Sequence, residues 1–377
     1  MADSGFRRVS KKCPCRVCGK PDWCSTTAEE TIAFCARSTL NADRISRYGW
    51  GVYYHGARSG FDFNFNLVRA LNRFPNRKKS KVSRTLASPT IRDKVYRKLI
   101  ELSPASSKDE IANGRDGLSE RGIMDISQYG SLPRLVNERQ VLVERLVDSM
   151  AKDRIRSFEG VPGFWTDANQ TLRLWSDGDS FDDLMVIPFI GPDGLIRACQ
   201  IRFMRYIPNK SGRYVWLSST KQKNGCGSVA PLHHAAPGQR FDKPVLVTEG
   251  ALKAATAQRF LTDRYVVGNS GVATSHKEIV DTARRKPLEI AFDNDSFTNP
   301  HVARALAALL RLRFSDQKSF SYNENVRIVT WEKPVKGLDD ALLTDASLKY
   351  LTVSEWLKYL TPECLEQANR QLSLALG

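Results

Sequence analysis

KPVLVTEGALKAATAQRF, residues 243–260, is the stretch that decides the fold, because an apolar run of β type ends there at an acidic residue and an amphipathic run follows. Three later stretches continue the pattern: RYVVGNSG (264–271), PLEIAFDNDSF (287–297) and NVRIVTWEKPVKGLDDAL (325–342). Short apolar runs are typical of buried strands, and apolar residues at helical spacing are typical of packed helices. Strands that alternate with helices predict a parallel sheet with helices packed over it.

The same pattern gives the bounds of the predicted elements. The predicted strands are Val245–Thr248, Tyr265–Val267, Leu288–Phe292 and Val326–Val329, and the predicted helices are Ala251–Phe260, Thr274–Arg284 and His301–Phe314. In open sheets of this type the ligand site lies beyond the carboxyl ends of the strands. We therefore expect Glu249, Asp293 and Asp295 to lie at such a site.

These acidic residues predict a metal site. Asp293 and Asp295 project to the same side if the strand geometry persists, with Asn294 on the other side. Glu249 would bring a third carboxylate into the crevice, where repulsion is costly unless cations bind. Oxygen ligands without nearby Cys or paired His suit Mg²⁺ or Mn²⁺. The alternative, solvated turn residues or helix caps, suits Asp293 or Asp295 alone better than the whole set.

The arrangement resembles the TOPRIM domain of bacterial-type primases, topoisomerases and some nucleases. The resemblance is carried by EG at 249–250 after one strand, DND at 293–295 after another, and GLDD at 337–340. It implies metal-dependent phosphoryl chemistry by one Glu and two Asp side chains: Glu249, Asp293 and Asp295. It also implies metal contact by a further acidic pair found in primases, at the positions of Asp339 and Asp340.

The charge balance indicates a polyanionic partner. The 377 residues include 57 Lys+Arg against 41 Asp+Glu, a net charge of +16, which suits nucleic acid or an anionic membrane surface. No apolar run approaches the roughly 20 residues that span a bilayer, and the N-terminus is polar and basic. We therefore expect a soluble, unexported protein without a membrane partner. The resemblance to bacterial-type primases implies the cytoplasm of a bacterial host cell.

The first cysteines predict a zinc site. Five of the eight cysteines lie between Cys13 and Cys35, and the two-residue gap from Cys15 to Cys18 lets both sulfurs bind one ion. Cys24 and Cys35 would complete a tetrahedral set, with residues 31–35 as a short strand that presents the last thiolate. Cys13 could replace one ligand, and the alternative for the whole group is reduced thiols without a metal.

The segment CRVCGKPDWC at 15–24, followed by CAR at 35–37, resembles the N-terminal zinc module of phage and plasmid replication proteins that pair it with a primase-type TOPRIM domain. Later segments agree with this resemblance. They are residues 117–119, 129–133, 160–164 and 213–219. The resemblance covers most of the chain and is weakest between residues 41 and 85.

A long basic segment precedes the acidic residues. Between Gly194 and Phe241 there is no Asp or Glu, and Pro and Gly at 191–194 suit a hairpin turn. This charge predicts a positive surface that faces the metal site, or only a basic sheet surface. The segment takes the position of the basic subdomain before TOPRIM in bacterial-type primases. The resemblance therefore implies nucleotide or template contact by Arg202, Arg213, Lys221 and Lys223.

The predicted fold class is α/β, a TOPRIM-like parallel sheet flanked by helices and preceded by a small N-terminal zinc module, a helical segment and a basic β-rich subdomain. The predicted segments are a zinc module (1–40), a basic linker or small subdomain (41–90), a helical subdomain (91–160), a basic β-rich subdomain (161–240), the TOPRIM domain (241–345) and a C-terminal helical tail (346–377). No Gly-x4-Gly-Lys-Ser/Thr motif is present, so a replicative helicase would have to act in trans.

The expected function is that of a DNA-dependent primase in phage or plasmid replication, joining nucleoside triphosphates on single-stranded DNA. The expected cofactors are Mg²⁺ or Mn²⁺ in the acidic site and Zn²⁺ in the cysteine site. Two alternatives use the same features. One is a metal-dependent nuclease, and the other is a non-catalytic protein that binds single-stranded DNA or recruits replication proteins.

Overall fold

The computed structural model describes residues 6–27, 30–38, 42–46, 50–55, 85–205, 213–222, 224–238, 242–332 and 335–373. Lys223 and residues 56–84 of the predicted basic linker lie outside these residues. In the part of the chain that the structure describes, no helix combines the length and apolar character that crossing a membrane requires.

The N-terminal part is a small antiparallel sheet in the order β1-β2-β3-β5-β4. Its strands are β1 (Phe6–Arg8), β2 (Ser25–Thr27), β3 (Ile32–Cys35), β4 (Arg44–Ile45) and β5 (Gly51–Tyr54). Its core is formed by Val9, Ala33, Tyr53 and three buried cysteines. Because so few apolar residues are buried here, a bound metal would supply much of the stability of this part.

The middle of the chain builds a second antiparallel sheet, in the order β11-β10-β9-β6, covered by helices. Its elements are α1 (Pro89–Leu102), α2 (Asp109–Ala112), β6 (Gly130–Leu132), α3 (Val136–Lys152), β7 (Phe164–Thr166), β8 (Leu172–Leu174), β9 (Leu184–Ile190), β10 (Ile196–Phe203) and β11 (Tyr214–Trp216). Strands β9 and β10 pair across the predicted hairpin turn. Position 160 is the predicted boundary between the helical and the basic β-rich subdomain. Strand β6 pairs with β9, so residues on both sides of this boundary share one sheet and one hydrophobic core.

The last part of the chain forms a six-stranded sheet in the order β12-β14-β13-β15-β16-β17. Strands β13 to β16 run parallel to one another, and the edge strands β12 and β17 are antiparallel. The elements are β12 (His233–His234), β13 (Val245–Glu249), α4 (Ala251–Phe260), β14 (Tyr265–Asn269), α5 (His276–Thr282), β15 (Leu288–Ala291), α6 (Pro300–Ser315), β16 (Val326–Trp331), α7 (Leu338–Leu343), β17 (Leu348–Leu351), α8 (Val353–Tyr359) and α9 (Pro362–Ser373).

Helices cover both faces of this sheet, which confirms the predicted α/β fold class. Side chains such as Val247, Ile290 and Leu306 form a large core on one face, where Trp356 of α8 and Cys364 of α9 also pack. On the other face, residues of α4 and α7 pack against alternate residues of the same strands. Strands with both faces buried read as continuous apolar runs, which is why these four could be found in the sequence.

The strand geometry does not persist through Asp295. Strand β15 ends at Ala291, and Asn294–Phe297 is a short 3₁₀ helix. The Asn294 side chain donates from Nδ2 to Trp331 O (2.9 Å) and accepts from Thr330 Oγ1 (2.7 Å). These bonds to β16 turn the backbone out of the strand, while Asp293 and Asp295 still line the same cavity.

Candidate active site and metal centres

The candidate active site lies at the carboxyl edge of the parallel sheet. Glu249 is the last residue of β13, and Asp293 follows the end of the neighbouring strand β15. The backbone N–H of Asp293 donates to Glu249 Oε1 at 3.1 Å. Gly250, at φ +87°, makes the left-handed turn from β13 into α4 that a side chain would strain. This turn fixes Glu249 at the edge of the site.

Asp293 is the most densely contacted of the three predicted catalytic carboxylates. Its Oδ1 accepts a hydrogen bond from Lys253 Nζ, and its Oδ2 lies 4.0 Å from Lys336 Nζ. Glu249, Asp293 and Asp295 line one open cavity of about 400 Å³, together with Lys336 and residues 271–274. The three predicted side chains are therefore brought together at one cavity.

Negative charge collects in this cavity. Burial, together with the nearby Asp293 charge, raises the pKa of Glu249 to about 7. Burial and Asp293 also raise the pKa of Asp295, and Asp295 Oδ1 is buried without a hydrogen-bond partner. A divalent cation would relieve both effects, and an all-oxygen set suits Mg²⁺ or Mn²⁺. The residue types fit such an ion. Their carboxylate oxygens lie farther apart than the sulfur atoms of the cysteine cluster described below.

The second predicted acidic pair divides between two environments. Asp339 is only 2% exposed, and its Oδ2 accepts a hydrogen bond from Arg121 Nη1 at 2.7 Å. Its Oδ1 has no hydrogen-bond partner, and burial raises its pKa. Asp340 is exposed, and neither residue lines the cavity. Direct metal contact is therefore supported less well for Asp339 and Asp340 than for the first three acids.

Four cysteines form the second candidate metal centre. The sulfur atoms of Cys15, Cys18, Cys24 and Cys35 all lie within 4.8 Å of one another, the only such group of metal-ligand side chains among the described residues. Cys24 and Cys35 donate hydrogen bonds that lower the pKa of Cys15. Four thiolates at this spacing suit a tetrahedral zinc ion.

Cys13 does not belong to this cluster. Its thiol donates to Glu30 Oε1 at 2.9 Å, and this bond raises the pKa of Cys13. A raised pKa keeps the sulfur as a thiol, which is the weaker metal ligand. The alternative in which Cys13 replaces one of the four ligands is therefore not supported.

The four residues predicted to contact nucleic acid lie in different environments. Arg202 is fully buried (0% exposed), and its Nη1 donates to Asp116 O at 2.6 Å. Burial leaves Arg202 no exposed surface, so the structure does not support its predicted direct contact with a template. Arg213 donates to Asp116 Oδ2 at 2.8 Å and keeps 28% of its side chain exposed. Lys221 is exposed, and Lys223 lies outside the described residues.

The sequence interpretation missed three residues that surround the acidic site. Arg121 contacts both Asp339 and Asp116. Arg121 and Asp339 are 218 residues apart, so no local sequence pattern predicts their contact. Asn269 is fully buried beside Glu249 in the sheet, and neither polar atom of its side chain has a partner. The position of Lys253 could have indicated a special role from the sequence, because a cation in the first turn of a helix opposes the helix dipole.

No family model matches this chain, and neither does any curated protein. Among solved structures, the chain is similar to the zinc-binding and RNA polymerase domains of the Aquifex aeolicus primase, with 16% identity, a TM-score of 0.45 and coverage of 100% of this chain and 87% of that chain. It is also similar to a DNA primase domain from Pseudomonas aeruginosa (14% identity, TM-score 0.45, 74% and 95% covered). A third similar structure is a DnaG primase catalytic domain bound to single-stranded DNA, with 14% identity, a TM-score of 0.45 and coverage of 76% of this chain and 97% of that chain.

Proposed function

We propose that this protein is a DNA-dependent primase that synthesises short primers on single-stranded DNA in phage or plasmid replication. The observation that carries the proposal is the single cavity lined by Glu249, Asp293 and Asp295 at the carboxyl edge of a parallel sheet. The resemblance of the N-terminal CRVCGKPDWC segment to zinc modules of phage and plasmid replication proteins supports the biological context.

Three carboxylates would hold Mg²⁺ or Mn²⁺ in this cavity: Glu249, Asp293 and Asp295. The bound cation would neutralise charge on the triphosphate and lower the pKa of the attacking 3′-hydroxyl. In an alternative to direct metal contact, the carboxylate of Glu249, whose pKa burial and the Asp293 charge raise to about 7, would accept the proton of that hydroxyl. Lys336, an exposed ammonium that lines the same cavity, is placed to contact the phosphates of an incoming nucleotide.

The cysteine module would supply template contact outside the acidic cavity. Cys15, Cys18, Cys24 and Cys35 would hold Zn²⁺, and the small core of this part would depend on the ion for its fold. Exposed basic side chains surround the cysteines, among them Arg16 and Lys20. They would bind a phosphate backbone without reading its sequence. A replicative helicase would be supplied by another protein.

The proposal is tested by primer synthesis on single-stranded DNA with ribo- or deoxyribonucleotides and Mg²⁺ or Mn²⁺. Wild type should release short labelled products, and Asp293→Asn should lose activity by on the order of 100-fold, because the carboxylate charge is removed without a change of shape. Glu324→Gln is the matched control, since Glu324 is an exposed acid just before β16, at the opposite edge of the sheet.

Four outcomes would count against primase activity. Wild type could make no primer under any nucleotide and metal combination, or Asp293→Asn could retain full activity. Nicking of DNA with Mn²⁺ and no added nucleotides would instead indicate the nuclease alternative. Tight DNA binding that needs neither metal nor these carboxylates would indicate the non-catalytic alternative.

A further inference from the structure

We propose that His301 contacts the triphosphate of the bound nucleotide through its Nε2–H group, from the wall of the acidic cavity that α6 forms. The inference rests on the proposed nucleotidyl transfer and adds a substrate-binding residue to that site. Neither the resemblance to primases nor the candidate metal site gives His301 a role.

His301 lies in the first turn of α6 and lines the same cavity as the three acidic residues. The backbone of this turn is well fixed, because Pro300 is its first residue and the Asn299 side chain accepts a hydrogen bond from the His301 backbone N–H at 3.1 Å. The His301 side chain itself is exposed. A ligand in the cavity can therefore reach the ring without a rearrangement of the helix.

A neighbouring arginine fixes which ring nitrogen carries the hydrogen. Nη2 of Arg304 lies 3.4 Å from Nδ1 of His301. Because a guanidinium group can only donate, Nδ1 accepts, and the hydrogen of the neutral ring is then on Nε2. Among the described residues, no group accepts a hydrogen bond from Nε2. His301 thus keeps one N–H donor available for a ligand.

The other side of the His301 ring faces a second, narrower cleft. Arg304 and His301 line this cleft together with Glu363 and Gln367 of α9 and with residues 36–38, which follow the cysteine cluster. His301 is therefore shared between the cleft and the acidic cavity. Contacts on the cleft side orient the ring, and the cavity side stays open to a substrate.

The cavity offers few donors for a triphosphate besides His301. Among the side chains that line it, only Lys336 and His301 carry nitrogen donors, whereas three are carboxylates. Phosphate oxygens accept strong hydrogen bonds from N–H groups. The volume of about 400 Å³ lies in the range of small-molecule sites, which suits one nucleotide better than a continuous strand. These features favour a triphosphate over a template phosphate as the partner of Nε2.

The test is the affinity of the full-length, zinc-loaded protein for ATP, measured by calorimetry with Mg²⁺ and without template. His301→Leu removes the donor and should weaken ATP binding by at least about 10-fold, the loss expected for a hydrogen bond to a charged oxygen. His301→Gln places an amide N–H near the position of Nε2. It should stay within about threefold of wild type, since the donor is kept.

A second measurement observes the ring directly. The chain has five histidines, so labelling with ¹⁵N-histidine gives few imidazole signals, and His301→Gln identifies the signal from His301. ATP should shift this Nε2 signal. The signals of His233 and His234, which are buried, should stay unchanged.

Gln317→Leu is the control for the loss of a polar side chain, because Gln317 is exposed and lies just beyond the opposite end of α6. Its ATP affinity should equal that of wild type. Unchanged ATP affinity in His301→Leu would overturn the inference, and so would a loss of affinity confined to single-stranded DNA. If His301→Leu does not fold, wild type decides: no ATP binding, or no shift of the His301 signal with ATP, would overturn it.

This result can be separated from that of the primer assay. ATP affinity that falls in His301→Leu and recovers in His301→Gln, in a chain that makes no primer, would keep the inference and lose the proposed function. Primer synthesis with an unchanged KM for nucleotides in His301→Leu would keep the function and lose the inference.

Discussion

Burial and a neighbouring negative charge both act against ionisation of the Glu249 carboxyl. It is largely buried at the end of β13, and it accepts a backbone hydrogen bond from Asp293, whose own charge opposes its ionisation. The pKa of about 7 that results lies in the range where an acid is half ionised at neutral pH. The residue is thus placed to respond to both protons and metal ions.

The pKa of Glu249 predicts how stability depends on pH. Because the folded pKa of about 7 exceeds the ordinary 4.5, the protein binds an extra proton when folded, and the resulting stability is present below pH 4.5. Without added Mg²⁺, on the order of 3 kcal/mol of unfolding free energy should be lost as pH rises from 4.5 to 7. Urea unfolding across this range measures it.

Glu249→Gln should remove most of this pH dependence, because the amide does not ionise. Saturating Mg²⁺ should restore the stability of wild type at pH 7.5 but not that of the variant. Equal slopes for wild type and Glu249→Gln would show that Glu249 does not titrate as described.

At the scale of elements, the loop between Cys18 and Cys24 carries a side chain that the cysteine ligands do not explain. Trp23 is 71% exposed, and its backbone has a φ of +64°, which is strained for a large residue. Exposed Arg16 and Lys20 precede it in the sequence. An aromatic face beside basic residues is suited to stack on an unpaired base.

Trp23→Ala should therefore weaken binding of single-stranded DNA by about 10-fold, which corresponds to the loss of one base stack. The measurement is fluorescence anisotropy with a labelled oligonucleotide, with zinc content determined in parallel. Trp23→Phe retains an aromatic face and should stay within about threefold of wild type. Wild-type affinity in Trp23→Ala with full zinc content would exclude Trp23 as a stacking residue.

The strands of the parallel sheet could be predicted because they are buried on both faces and end at charged residues. The sequence placed Glu249, Asp293 and Asp295 at one edge for that reason, and the cysteine spacing identified the sulfur cluster. The 3₁₀ helix at Asn294–Phe297 could not be predicted, because it depends on bonds from Asn294 to β16. The burial of Arg202 was missed because its partner Asp116 lies 86 residues earlier.

At the scale of the whole molecule, a charged network joins the antiparallel sheet to the acidic edge of the parallel sheet. The Asp116 carboxylate lies 2.8 Å from Arg213, 3.6 Å from Arg121 and 3.9 Å from Arg202, and Arg121 continues to Asp339. The hydrogen bond from Arg213 lowers the pKa of Asp116. The acid-free segment 195–240 is thus neutralised in part by an aspartate from elsewhere in the chain.

Asp116→Asn should remove the negative charge that partly neutralises the segment 195–240. We expect affinity for single-stranded DNA to rise by about threefold and its salt dependence to steepen, since Arg213 becomes available to phosphates. Thermal stability should fall, because Arg202 stays buried beside a neutral amide. Titrations at several salt concentrations measure the first effect and calorimetry the second. Asp148→Asn, an exposed acid on α3, is the control, and unchanged DNA binding in Asp116→Asn would contradict the proposed role of the network.

The central claim is that Glu249, Asp293 and Asp295 hold a divalent ion for nucleotidyl transfer. Anomalous diffraction from crystals soaked with Mn²⁺ and a nucleoside triphosphate tests it most directly. The account predicts a manganese peak in the cavity lined by Glu249, Asp293 and Asp295, in contact with the triphosphate. A cavity without a peak, or manganese bound only elsewhere on the protein, would contradict it.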